Sequence, residues 1–337
     1  MMEELKTTPV REEKIGTIYF GGGTPSVVPF HFIQEMLKVI YDRFDVIEDV
    51  EITLETNPDD ISVDSAMNWI EAGINRLSIG IQSFDDTELK WMNRVHSSSQ
   101  AITGLEIVRN AGFKNFSCDL IYGSPFQSNE SLLRNIDTLL QFDVPHISAY
   151  ALTVEPGTAL HSFIRKGKSA DVDQAHQSEA FRLLASTLKS KGYVHYEISN
   201  FCIPGMQSRH NSSYWEGKPY YGIGPGAHSY DGSLERKWNI SNNALYATGI
   251  ENGHPNFESE ILTNIQRINE MIMISLRTST GLDAGNLDKI LPGSSEKFRK
   301  EAEKFIAGGK LIREGDKYLV TDEGKMFADG IASDLFF

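Results

Sequence analysis

The stretch Thr17-Ile18-Tyr19-Phe20-Gly21-Gly22-Gly23-Thr24-Pro25 is a short apolar, β-branched run that breaks into three glycines. Such a run reads as a strand, and glycines after it let the backbone come close to a ligand with its N–H and C=O groups exposed. The pattern repeats along the first two hundred residues. Further strands are expected over residues 50–56, 76–82, 116–122, 146–152 and 193–198. Helices are expected between them, over residues 30–44, 63–72, 100–111, 130–142 and 172–191. Three helices run into Ala72-Gly73-Ile74, Ala111-Gly112-Phe113 and Lys191-Gly192-Tyr193. A glycine there takes the left-handed conformation that closes a helix, and the apolar residue after it starts the return to a strand. The alternation predicts an α/β fold with parallel strands and helices outside, as a barrel or as an open doubly wound sheet.

A chain of 337 residues has room for two domains, or for one with an appendage. With 40% hydrophobic and 23% charged residues it can build a sizeable core. The formal net charge of -14 argues against a nucleic-acid binder working through a broad basic face. No apolar run approaches the ~20 residues of a membrane span, and no secretory leader is visible in the charged first residues. The two cysteines, Cys118 and Cys202, exclude a disulfide framework and fit a reducing, cytoplasmic setting.

Three regions are expected. Residues 1–200 form the βα part. Residues 201–257, rich in Gly, Pro, Tyr, Trp and His and poorly periodic, read as an ordered functional loop region. Residues 258–337 read as a small helical appendix. Within it, residues 311–321 suggest a hairpin turning at Glu314-Gly315-Asp316, with Thr321 capping a last helix. Helices followed by a hairpin suggest a winged-helix-like shape. The acidic charge favours a structural or docking role for it over DNA binding.

In parallel βα folds ligands bind at the carboxyl ends of the strands. Those ends carry Gly21-Gly22-Gly23-Thr24-Pro25, then Glu55-Thr56-Asn57-Pro58, then Gln82-Ser83-Phe84 with Arg94 a little further on. Next come Asp119 with Tyr122-Gly123, then Ser148, Tyr150 and Thr153, and finally Glu197. Glu55 and Asp119 are suited to accept from an amine or from ribose hydroxyls. Arg94 is suited to clamp a carboxylate, and Gln82 to act as a neutral donor and acceptor. The set matches a zwitterionic ligand that carries a sugar. Each residue alone has an ordinary reading: a glycine run is often only a tight turn, and Asp119 inside an apolar strand calls for a buried partner.

Phe20-Gly21-Gly22-Gly23-Thr24-Pro25-Ser26, Glu55-Thr56-Asn57-Pro58 and the run from Arg76 to Phe84 resemble the radical S-adenosylmethionine (SAM) proteins. Asp119-Leu120-Ile121-Tyr122-Gly123 narrows the resemblance to the oxygen-independent coproporphyrinogen III oxidase group. His210-Asn211-Ser212-Ser213-Tyr214-Trp215 is similar to the H-N-x-x-Y-W signature of its HemW-type heme-chaperone branch. The resemblance covers essentially the whole chain. It implies a partial parallel (β/α) barrel of radical SAM type with a C-terminal winged-helix-like appendix. It implies that Gly22, Gly23 and Thr24 cradle the amino-acid end of SAM, and that Glu55, Gln82, Arg94 and Asp119 bind it through side chains. It nominates His210 as the leading heme contact, with Tyr214 and Trp215 offering flat apolar surface. His228 is the weaker candidate. An imidazole is a common axial ligand to heme iron.

Members of that family carry a C-x-x-x-C-x-x-C loop after the first barrel strand, whose thiolates hold a [4Fe–4S] cluster. No cysteine precedes the strand at 17–20, and Cys118 and Cys202 have neither the number nor the spacing to replace that loop. The expectation is that the first βα unit is missing, as in a fragment or a natural cluster-less descendant, and that these residues alone perform no radical chemistry. The leading function is heme binding and heme transfer to client proteins. The alternatives are a coproporphyrinogen III oxidase-like enzyme performing oxidative decarboxylation, and a non-catalytic SAM-binding module. The client and the oligomeric state, a homodimer included, stay open.

Overall fold

The computed structural model describes residues 1–337, apart from the side chain at position 159. One sheet holds β1 (Ile15–Phe20), β2 (Val46–Thr56), β3 (Arg76–Gln82), β4 (Phe116–Tyr122), β5 (His146–Ala151), β6 (Val194–Glu197) and β7 (Asn200–Cys202). Their order is β1-β2-β3-β4-β5-β7-β6. The pairs β2/β3, β3/β4 and β4/β5 are parallel, and the sheet curls into a half-barrel, so the α/β reading holds. Leu54, Leu77, Ile79, Ile81, Cys118 and Ile147 are fully buried in it. That is the near-continuous apolar texture of strands covered on both faces.

The helices between the strands begin where serine supplies a cap. Ser62, Ser97 and Ser128 each accept from the backbone N–H three residues on, and the residue there bonds back to the cap. Each such box adds about 1 kcal/mol. Gly73, Gly112 and Gly192 have φ of 98°, 98° and 87°, the left-handed closures expected of them. On the helix Ser98–Ala111, Ala101, Gly104, Leu105 and Val108 are buried, one stripe at helical spacing.

The sixth strand departs from the all-parallel expectation. β6 does not pair with β5. It folds back through β7, which is antiparallel to both. Glu197 pairs with Asn200, leaving a two-residue turn far too short for a parallel crossover.

The chain divides into two compact units. One comprises residues 17–34 and 51–207, and the other residues 1–16, 35–50 and 208–337. In the second unit, β8 (His228–Tyr230), β9 (Glu235–Asn239) and β10 (Phe257–Ile261) form an antiparallel sheet in the order β10-β9-β8. Part of the region expected to be loop is therefore sheet and helix, including the helix Arg209–Trp215. Its strands are short and carry charges, as in Glu235-Arg236-Lys237-Trp238-Asn239, so no apolar period betrays them. The unexpected helix Met2–Thr7 places Glu4 where its carboxylate accepts from Gly224 N (2.8 Å), Asn239 Nδ2 (2.6 Å) and Tyr246 Oη (2.5 Å).

The C-terminal part joins helices to a second small sheet of β11 (Leu282–Asp283), β12 (Leu311–Glu314) and β13 (Lys317–Val320), ordered β11-β13-β12. The hairpin turns at Gly315, whose φ is 65°, as expected. Ile268, Ile272 and Leu276 line the buried stripe of the helix Asn264–Leu276, and Phe298 packs edge-on against Tyr318. Thr321 does not cap the last helix. Its Oγ1 accepts from Gly324 N, one turn before that helix, Ala328–Asp334, which has no side-chain cap. Among the described residues, no helix is long and apolar enough to cross a membrane.

Candidate functional site

The carboxyl ends of β1 to β4 meet around a cleft of about 190 Å³ in the first unit. Gly23, Thr24, Glu55, Gln82 and Asp119 are among its lining residues. The strand ends thus bring together five of the residues singled out above.

Glu55, at the end of β2, is fixed from two sides. Its Oε1 accepts from Tyr19 Oη (2.7 Å) and its Oε2 from the backbone N–H of Gly22 (3.1 Å). Burial and the adjacent Glu55 carboxylate push the Tyr19 phenol well up, so it remains a proton donor. The glycine run divides its labour. Gly22 needs its freedom for a φ of 95°. A Cβ on Gly21 would lie 2.5 Å from the Tyr19 ring and 2.9 Å from Glu55 Oε1, so Gly21 makes room for that bond. Gly23 faces open space.

Gln82 ends β3 with φ 66°, a left-handed conformation that a residue with a Cβ seldom holds. The pairing with β4 shifts register between Ile79 and Gln82, and this bulge re-aims the strand end. Gly80 allows it: a Cβ there would come within 3.0 Å of Gln82 Nε2. Backbone strain that is held by its surroundings gathers at binding sites.

Asp119 lies at the base of the cleft on β4. Its Oδ1 is buried and has no hydrogen-bond partner among the described residues. Burial raises its carboxyl from 3.8 to about 6, and the Glu55 charge adds to the rise. A hydrogen bond from Ser148 and the positive charges of Arg76 and Arg94 oppose it. A buried acceptor without a donor, facing a cleft with a second carboxylate, suits a ligand bearing an amine or hydroxyls.

Arg94 does not join this lining. It is exposed, and Asp119 reaches it only through charge. His210 belongs to the other unit, on the helix Arg209–Trp215, where its ring stands edge-on to Tyr214 at 5.1 Å and 89°. Tyr214 meets Tyr220 at 4.9 Å, and Tyr220 faces Tyr230 at 6.1 Å. Tyr19, Ser78 and Gly80 belong to the cleft or its support but were not singled out from sequence. A lone glycine inside a strand, as at position 80, is a legible sign of close approach.

The cleft has the donors, acceptors and bare backbone for SAM. The cysteines do not form a cluster ligand set. Cys118 in β4 and Cys202 in β7 are both fully buried. Burial pushes the Cys202 thiol up to about 11 and the Cys118 thiol well above its usual range, away from the thiolate that binds metal.

A curled parallel half-barrel with a polar cleft at its strand ends is the architecture of the radical SAM class. The family model described as "Radical SAM superfamily" matches residues 1–139, and "HemN C-terminal domain" matches residues 262–327. The solved coproporphyrinogen III oxidase of Escherichia coli has the same fold, with a TM-score of 0.80 at 21% identity over 96% of this chain and 78% of that one. The heme chaperone HemW of Mycobacterium tuberculosis is 34% identical over 98% of this chain and 83% of its own length. The Bacillus subtilis HemW is 33% identical over 94% and 84%. The chain belongs to the HemW family of heme chaperones.

Proposed function

We propose that this chain binds heme and hands it to client proteins, while its half-barrel holds SAM. The observation that carries the heme part is the sequence His210-Asn211-Ser212-Ser213-Tyr214-Trp215 on one short helix, backed by the cluster of Tyr214, Tyr220 and Tyr230, whose rings meet edge-on and tilted. Flat apolar rings beside an imidazole are what a porphyrin and its iron require. His210 and His228 are the candidate iron ligands. The functional division follows the sequence: residues 1–200 for SAM, 201–257 for heme and 258–337 for an appendix.

In the half-barrel, the backbone of Gly22, Gly23 and Thr24 receives the amino-acid end of SAM, and the cleft volume suits that end. Glu55, held in place by Tyr19, accepts from the ammonium. Asp119 and Gln82 serve the remaining polar groups, and Arg94 supplies positive charge from outside the lining. In radical SAM proteins a reduced cluster turns SAM into a source of a carbon radical. No step of that kind is assigned to these residues. The reading places the protein in the cytoplasm, with heme-receiving proteins as partners and a homodimer as one assembly.

Hemin is titrated into the protein by absorbance, and SAM is tested separately by equilibrium dialysis. A saturable Soret change, followed by loss of heme to an added apo-hemoprotein, is the expected result. Binding of SAM alone would favour a SAM-binding module. Binding of neither would end the reading.

A further inference from the structure

The sheet β10-β9-β8 has two edges, and the chain itself closes one of them. On the outer side of β8, Tyr220 and Tyr230 exchange backbone hydrogen bonds of 3.0 Å in both directions, and Gly222 N donates to Ser229 Oγ (2.9 Å). Among the described residues, β10 has β9 on one side and no strand on the other. Just beyond its ends, the carbonyl of Asn256 accepts from Ile240 N (3.0 Å), and Leu262 N donates to the carbonyl of Leu234 (2.8 Å). Antiparallel bonding alternates along a pair, so Glu258 and Glu260 turn their backbone groups to β9. Phe257, Ser259 and Ile261 turn theirs outward.

Proteins guard such an edge with lysine, proline or a bulge. Between Phe257 and Ile261 there is no lysine or proline, and the register with β9 runs unbroken. Phe257 and Ile261 are 48% and 66% exposed. The two faces of the strand differ in chemistry. Phe257, Ser259 and Ile261 share one face. Glu258 and Glu260 share the other, opposite Trp238 and Arg236. Arg236 lies 3.7 Å from Glu260 but 2.9 Å from Glu270, and no basic side chain pairs with Glu258 among the described residues. Beside Glu258 opens a cleft of about 490 Å³, with Trp238, Leu245 and Phe257 among its walls.

We propose that β10 is a docking strand for an extended segment of a partner protein in which basic side chains alternate with apolar ones. The segment pairs its backbone with the outward N–H and C=O groups of Phe257, Ser259 and Ile261. Its apolar residues lie beside Phe257 and Ile261, and its Lys or Arg residues lie beside Glu258 and Glu260. Next to Glu258 a long basic side chain enters the cleft, with its charge on the carboxylate and its aliphatic stem against Trp238 and Leu245. A second copy of this chain fits the edge poorly. Antiparallel pairing of two β10 strands about Ser259 aligns their apolar faces but sets Glu258 against Glu260 twice, and like charges directly opposite destabilise a pair. The proposal goes beyond heme binding and stands without it.

The test is fluorescence anisotropy of labelled peptides with the full chain. A peptide of alternating Lys and Val is the probe, and the same residues in two blocks, one of Lys and one of Val, make a control of equal charge. The alternating peptide is expected to bind the wild type about tenfold more tightly than the block peptide. Ser259→Pro removes an outward N–H that β9 does not use, and it should weaken binding about tenfold with the circular dichroism unchanged. Glu258→Lys should weaken the Lys-Val peptide about tenfold and strengthen a Glu-Val one, a reversal that a misfolded variant would not show. Equal binding of the alternating and block peptides, or no binding by the wild type, would overturn the proposal. So would an affinity that neither substitution moves. A dimer that forms without peptide and that Ser259→Pro dissociates would assign the edge to a second copy instead.

Discussion

Asp119→Asn is expected to make the protein more stable and less able to bind SAM. The Asp119 carboxyl is held at about 6 against an ordinary 3.8, mainly by burial. That is a shift of about two pH units at ~1.4 kcal/mol each, or up to about 3 kcal/mol against the charged form. The folded state holds the proton more tightly than the unfolded chain. Stability is therefore fully present below pH 3.8, falls as pH rises toward 6, and stays lowered above it. The neutral Asn side chain has no charge to bury. Urea unfolding of both proteins at pH 4 and pH 8 isolates the effect, because other titrating groups cancel in the difference. The variant should match the wild type within ~1 kcal/mol at pH 4 and exceed it by up to about 3 kcal/mol at pH 8. Its SAM affinity should fall by about tenfold, since the unpartnered carboxylate oxygen is replaced by a neutral amide. An equal stability difference at the two pH values would refute the argument that Asp119 is held charged against its surroundings.

Four further substitutions test the cleft and the half-barrel that carries it. Tyr19→Phe removes the donor to Glu55 Oε1, and SAM should bind about fivefold more weakly by equilibrium dialysis, the worth of about 1 kcal/mol. Unchanged affinity would mean that Gly22 N–H alone fixes Glu55. Gly21→Ala drives a methyl into Tyr19 and Glu55, whereas Gly23→Ala meets open space. Dialysis should show SAM binding lost in the first, with the urea midpoint of the second unchanged because its methyl meets no protein atom. Glu88 is fully buried and accepts from Ser83 Oγ (2.8 Å), Gln127 Nε2 (3.0 Å) and Ser131 Oγ (3.1 Å). Glu88→Ala leaves those donors unpaired and should lower unfolding stability by about 2–3 kcal/mol, read from the urea midpoint.

The half-barrel was legible because two independent signals agree along it. Apolar strand runs mark the βα units, left-handed glycines close three of their helices, and the rule that ligands gather at strand carboxyl ends then points to Glu55, Gln82 and Asp119. Arg94 escaped that rule. It follows a short helix, Asp86–Trp91, and no strand, so topology does not aim its side chain. Tyr19 was passed over because an aromatic residue in an apolar strand looks like core until its hydroxyl is seen on Glu55. The reversal at β6 and β7 hides in Glu197-Ile198-Ser199-Asn200, which lacks the glycine that usually flags a tight hairpin.

The second unit resisted reading for a different reason. Its central strand β9 runs Glu235-Arg236-Lys237-Trp238-Asn239, three charges before one ring, so no polar–apolar period separates an inner from an outer face. The pairing of His228 with Trp238 depends on register, and register is a long-range property that neither strand states alone. A strand face that buried its rings would show the ordinary alternation. This one leaves Phe257 48% exposed and His228 exposed, so its aromatic residues do not mark a core, and the loss of periodicity begins where the regular βα repeat ends.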